Sequence, residues 1–161
     1  MKKGAIISEC GQYRYHLWRT WDDDRFKPRL AFIMLNPSTA DAENDDPTIR
    51  RVINFAKAWG YGGIDIFNLF AYITSSPKIL YDNYKKGVDV IGSKNNDTLI
   101  ELKLKGNNYD IVFAWGAQKE YKSRIKYVEK LFPFAECLKK TKEGYPCHPL
   151  YLKSDLKRIE Y

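Results

Sequence analysis

Long apolar runs are missing from this chain. No window approaches the roughly 18 to 20 uninterrupted apolar residues of a membrane-spanning helix, and Met1-Lys-Lys-Gly-Ala-Ile-Ile-Ser-Glu-Cys10 lacks the long apolar core of a signal peptide. A cytoplasmic protein with no membrane partner is expected. Cysteine is scarce: Cys10, Cys137 and Cys147 are the only three, none in Cys-x-x-Cys spacing, and an odd number fits reduced thiols better than a disulfide framework. Histidine is scarcer still, with only His16 and His148, so a histidine-rich metal site is not expected and no cofactor is implied. Internal repeats, linkers and low-complexity tracts are also absent. The 161 residues read as one domain, 1–161, expected to be monomeric and long enough to bury a core without staples.

Charge and aromatic rings are what the chain has. Lys plus Arg outnumber Asp plus Glu by 27 to 20, a formal net charge of +7. A basic balance concentrates polyanions, of which nucleic acid is the commonest in a cell. Aromatic residues make up 15%, and rings interleaved with cations can stack on exposed bases. A merely lysine-rich surface with most rings in the core is the competing explanation, so composition alone favours nucleic acid only modestly.

The central stretch is Ala31-Phe-Ile-Met-Leu-Asn-Pro-Ser-Thr-Ala40. Its apolar start suits a strand buried on both faces, and Asn36-Pro37-Ser38-Thr39 is a polar turn that ends it. Two similar runs follow: Ile64–Phe67, ending on Asn68-Leu-Phe70, and Asp110–Ala114, ending on Trp115-Gly116. A short strand over Phe134–Leu138 leads through a basic turn to a shaped loop in which prolines flank His148. Before them, Ala5–Ser8 and Tyr13–Trp21 read as an amino-terminal hairpin, with Tyr13, Tyr15 and Leu17 on one side and Arg14, His16 and Trp18 on the other. Helices are predicted from Pro47 to Trp59, around Ile79–Tyr84 where Ser76-Pro77 opens a short one, over Lys94–Leu104 with Ser93 as cap, and over Tyr121–Phe132. Strands alternating with helices give an α/β fold: a three-layer α/β/α sandwich around a central, mostly parallel four-stranded sheet, plus the amino-terminal hairpin.

The acidic clusters have plain explanations. Asp22-Asp-Asp24 reads as a solvated loop, because consecutive residues rarely converge on one ion. Asp46 can cap the helix that Pro47 opens, which is favoured over a catalytic pair with Asp45. Arg50 and Arg51 sit in the first turns, where the helix dipole disfavours cations. Their placement hints at an anionic partner, although a salt bridge to a nearby Asp explains it as well.

If the buried strands are parallel, Asn36-Pro37, Asn68, Trp115-Gly116 and His148-Pro149 share one edge of the sheet, where ligands bind in open α/β folds. In this order they resemble the uracil-DNA glycosylase superfamily, which shows a water-positioning Asp-Pro or Asn-Pro turn, an Asn after an apolar strand, a strand ending Trp-Gly, and a His-Pro loop. The chain also resembles, over nearly its whole length, an uncharacterised bacterial and phage family marked by Leu-Asn-Pro-Ser-x-Ala, Asp-Asp-Pro-Thr, Asn-Leu-Phe, Trp-Gly and His-Pro-Leu-Tyr. The first resemblance implies a uracil-DNA glycosylase-like fold and a hydrolase that cleaves the N-glycosidic bond of a flipped pyrimidine base in DNA. Asn36 would position the attacking water. Asn68 would pair with the base edge in a pocket with Pro37, Ser38, Phe70, Trp115 and Gly116, and His148 would donate to the departing base. On the DNA side, Ser38, Thr39, Arg50 and Arg51 would meet phosphates, and Leu150 or Tyr151 would fill the hole left in the stack.

The chemistry suits such a set. Breaking an N-glycosidic bond builds positive charge on the sugar and negative charge on the base, so a positioned water and a donor to the leaving group matter more than a strong nucleophile. A duplex hides the bond, so the base must be extruded, which calls for a basic surface and an apolar wedge. Asn36 lacks the charge of branches with Asp at that position, and nothing at Ser38 to Ala40 matches the bulky residue that excludes thymine in the most active branch. The Asp41–Arg51 insertion is positioned to line a pocket for a larger modified pyrimidine. The alternatives are a non-catalytic nucleic-acid-binding protein on the same fold and a hydrolase of free nucleosides or nucleotides.

Overall fold

The computed structural model describes all 161 residues. In chain order the elements are β1 (Lys2–Ile7), β2 (Arg14–Thr20), β3 (Arg29–Met34), α1 (Pro47–Ala58), β4 (Gly63–Asn68), α2 (Pro77–Lys85), α3 (Asn95–Leu104), β5 (Tyr109–Phe113), α4 (Lys122–Leu131), β6 (Glu136–Cys137) and β7 (Ile159–Glu160). The strands form one seven-stranded sheet in the order β1-β2-β4-β3-β5-β6-β7. The four central strands run parallel, β3 lying between β4 and β5, with β6 beyond β5. This is the parallel core expected from the buried apolar runs, but the sheet is wider than four strands. The amino-terminal hairpin is part of it, since β2 pairs antiparallel with β4 from Leu17–Ile66 to Thr20–Gly63. At the other edge β7 adds antiparallel to β6. That closing strand is only two residues long, Ile159 and Glu160, too short for a periodicity to reveal it.

Alternation along β3 sorts its side chains between two cores. Leu30, Phe32 and Met34 meet Ile49, Val52 and Phe55 of α1 on one face. Ala31 and Ile33 meet Leu80 of α2, Leu99 of α3 and Val128 of α4 on the other. Helices thus cover both faces of the sheet, which is why β3 reads as a continuous apolar run and why β4 is buried along its whole length. The caps of α1 and α2 follow the sequence: the Asp46 and Ser76 side chains accept the amide hydrogens of Ile49 and Ile79. Ser93 does not cap α3; Lys94 occupies that position without a side-chain bond. Asn95, one residue on, turns inward instead and donates to the carbonyls of Asn68 and Leu69.

One irregularity re-aims a charged side chain. Opposite Ile6 and Ile7 of β1 stand His16 and Arg14, so Tyr15 is an extra residue in β2, a β-bulge. Past the bulge the simple alternation fails. Arg14 does not share a face with His16 and Trp18; it turns to the side of Leu17 and Arg19, where its guanidinium donates to the Ala40 carbonyl. No helix is long and apolar enough to cross a membrane.

Candidate functional site

Because β3, β4 and β5 are parallel and in register, their carboxyl ends lie side by side. There, a cavity of about 440 Å³ is lined by Asn36, Ser38, Asn68, Trp115, Gly116 and His148, together with residues of the first turn of α1 and the approach to α2. The sheet edge predicted from the motifs thus gathers four segments far apart in sequence into one site.

Asn36 is held by its amide nitrogen. Nδ2 donates to the carbonyls of Pro37, Tyr72 and Thr74 at 2.9, 3.2 and 2.9 Å. Three carbonyl acceptors fix the orientation of the amide and leave Oδ1 as the group available to a ligand or water. Asn68, 3% exposed, is the last residue of β4. The turn after it is clamped from the helices: Asn95 bonds its carbonyl, and Arg124 of α4 donates from Nε to Leu69 at 2.7 Å. Neither clamp is readable in sequence, because a polar residue on a helix ordinarily faces water.

His148 stands exposed at the rim. Its Nδ1 accepts the Leu150 amide hydrogen at 3.2 Å, so the neutral ring carries its proton on Nε2, a fixed donor. Desolvation by the surrounding protein pushes the imidazole pKa below its ordinary value, while the Asp46 carboxylate pulls the other way. The loop is tied to the sheet through Gly116, whose amide donates to the Pro146 carbonyl at 2.8 Å. Gly116 has φ +81°, a left-handed backbone conformation that glycine adopts without strain.

The remaining predicted residues divide. Pro37 is buried beneath Asn36. Phe70 is fully buried with its ring against Tyr84 and Tyr121, so it is a core residue and not a platform for a base. Trp115 walls the cavity, but its ring is packed against Phe113 and Tyr161 on the core side. Thr39, Arg50 and Tyr151 are exposed, Tyr151 at 93%; Leu150 is half-buried. Arg50 donates to the Asp45 carbonyl. Arg51 leaves the site altogether: its guanidinium lies over the Phe55 ring in a separate small cleft with Ser154. An α-helix turns 100° per residue, so adjacent arginines cannot face the same partner.

One charged group of the cavity was not assigned to it by the sequence: Arg14, delivered by the bulge; the other, Asp46, belongs to the Asp41–Arg51 insertion expected to line a pocket. The adjacent aspartates do different work. Asp45 pairs with fully buried Arg19, Nε to Oδ1 at 2.7 Å, and Arg19 also donates to the Asp41 carbonyl at 2.7 Å. That pin holds the insertion so that Asp46 both caps α1 and faces the cavity. Replacing Asp46 by Ser is expected to keep the cap, shifting stability by less than about 1 kcal/mol, and to lower the His148 pKa further, because the carboxylate that raises it is gone. NMR titration of the His148 ring checks this.

No group of three or more His, Cys, Asp or Glu converges to hold a metal. At the opposite end of the strands, Asp22 and Asp23 form ion pairs with Lys27 and Lys2 at 2.6 Å each, the solvated arrangement read from the sequence.

A mixed α/β chain whose parallel strands end in a polar, partly charged cavity is the class these features define. Over residues 14–150 the sequence matches the model of a family described as protein of unknown function (DUF1643), and the chain belongs to that family. No curated protein and no solved structure matches it.

Proposed function

We propose that this protein is a uracil-DNA glycosylase-like hydrolase that removes a flipped pyrimidine base, plain or modified, from DNA. The observation that carries this reading is the convergence of Asn36, Asn68 and His148 on one cavity of about 440 Å³ at the carboxyl ends of the parallel strands. That volume lies in the range of ordinary small-molecule sites. The division of labour follows from hydrogen-bonding capacity. Asn36 offers Oδ1 to an attacking water, while its nitrogen is locked on three carbonyls. The Asn68 amide has a donor and an acceptor to meet a base edge. His148 presents Nε2–H to the oxygen of a base that departs with negative charge, a contact that strengthens as the bond breaks. Leu150 and Tyr151 follow directly on the same loop, Tyr151 exposed at 93%, as a wedge for an opened stack requires. Asp46 adds a carboxylate near the Asn36 turn, in a chain whose water-holding residue has none.

The test is a mass-spectrometric screen for bases released from DNA carrying varied pyrimidines. Wild type is expected to release at least one base, and Asn36→Ala to release it about 10²-fold more slowly. DNA binding with no release from any substrate would identify a non-catalytic binder instead, and release from mononucleotides alone an enzyme of free nucleotides.

A further inference from the structure

A guanidinium stripped of water keeps its charge and requires acceptors. Arg19, fully buried, has them: the Asp45 carboxylate, and the carbonyls of Trp18, Asp41 and Asn44. Arg14 is 3% exposed and faces the site cavity, yet it has only the Ala40 carbonyl, on Nη1. Its Nε is buried with no acceptor, and Nη2 makes no hydrogen bond. Asp46 lines the same cavity without pairing with it; one of its oxygens is bound to the Ile49 amide. Desolvation pushes the Arg14 pKa down to about 10, outweighing the attraction of the nearby Asp46 and Asp41 carboxylates. Arg124 also lacks a carboxylate, but the Leu69 carbonyl and Asn96 Oδ1 hold it, away from the lining of this cavity.

We propose that the ligand of this cavity carries a permanent oxyanion, a carboxylate or a phosphate, and that Arg14 receives it through Nε and Nη2. The inference deepens the base-excising reading and rests on it for placing a pyrimidine in this cavity. A planar fork matches two oxygens of one anion, and such charge-assisted pairs are among the strong hydrogen bonds of proteins. A permanent charge fits better than one that only develops on a leaving base, because it balances the cation in the bound ground state as well. The oxyanion has two sources: an acidic substituent on the pyrimidine ring, or the phosphate of a nucleotide.

Calorimetric titration of wild type, Arg14→Met and Arg14→Lys with uracil, a ring-carboxylated uracil, a pyrimidine 5′-mononucleotide and inorganic phosphate separates these. At least one oxyanion-bearing pyrimidine is expected to bind wild type more than about tenfold tighter than uracil, a difference of 1.4 kcal/mol. That advantage should vanish in Arg14→Met and fall in Arg14→Lys, which keeps the charge but loses the fork. An advantage confined to the carboxylated base assigns the ring substituent; one shared by the mononucleotide and phosphate assigns the phosphate. Removing an unpaired buried cation leaves Tm unchanged or raised, so a folded Arg14→Met protein is the expected control. If Arg14→Met does not fold, Arg14→Lys alone carries the test. Uracil binding as tightly as every oxyanion, no binding of any oxyanion, or an advantage that survives the substitutions overturns the proposal. Base release that ignores Arg14 defeats this inference and leaves the hydrolase reading standing. Arg14-dependent anion binding with no base released from any DNA does the reverse.

Discussion

Replacing His148 by Ala is expected to slow base release by about 10²- to 10³-fold, the usual worth of a positioned donor to developing negative charge. The loss should appear in kcat, with substrate binding little changed, since the contact strengthens as the leaving base gains charge. Stability should hardly move, because the residue stands exposed on a loop. The pH dependence carries a further signature. The His148 pKa lies below its ordinary value, so the neutral ring, with Nε2–H outward and Nδ1 bonded to the Leu150 amide, persists to more acid pH than in a free histidine. Protonating Nδ1 sets two N–H groups against each other and breaks that loop bond. The acid limb of the wild-type single-turnover profile is therefore expected at lower pH than an ordinary histidine would set; in His148→Ala it should be absent. Equal rates for wild type and His148→Ala at every pH would remove His148 from the chemistry.

The largest expected stability effect lies away from the site, at Asp65 in the middle of β4. It is 2% exposed and joins side chains from two neighbouring strands: His16 Nε2 at 2.7 Å from β2 and the Arg29 guanidinium, through Nε at 2.5 Å, from β3. Breaking a buried ion pair by removing one partner costs about 3–5 kcal/mol, because the other charge is left uncompensated. Asp65→Ala is expected to lose that much in urea unfolding, a large share of the about 5–15 kcal/mol that stabilises a typical domain. Burial alone would raise the Asp65 pKa, but hydrogen bonds from His16 and Arg29 outweigh it and hold the carboxyl below its ordinary value. The folded-state pKa is thus depressed. The stabilisation is fully present above the unfolded aspartate value of about 3.9 and disappears as pH falls through the lower folded value. The gap between wild type and Asp65→Ala should accordingly persist at pH 5 and close only in strong acid. A loss under about 1 kcal/mol at neutral pH would mean that the network contributes little.

The sequence carried the parallel core and the rim of the site because both rest on local signals. Apolar runs such as Ala31–Leu35 mark strands covered on both faces, and the polar turns that end them lie where open α/β sheets bind ligands. Asp46-Pro47 and Ser76-Pro77 announced helix starts by their own chemistry. What stayed hidden depends on long-range partners. Phe70 follows Asn68 closely enough to suggest a pocket residue, but two tyrosines from other segments take its ring. Arg51 differs from Arg50 by one helical step, and that step carries it to another cleft. Asn95 and Arg124 look like ordinary polar helix residues until the Asn68–Leu69 turn is seen to need their donors. Arg14 was misassigned by assuming perfect alternation in β2, which the extra residue at Tyr15 breaks.

That bulge has a consequence for how the cavity's charge is encoded. Arginine is common in strands, and its presence at position 14 says nothing of where the cation goes; the backbone decides, by a single surplus residue in the pairing of β2 with β1. A deletion of one residue there would leave composition and net charge almost intact while moving the guanidinium to the far side of the sheet. The electrostatic character of the site is thus a property of strand phase, and related chains could gain or lose an arginine-lined cavity through an indel without exchanging any other side chain that lines it.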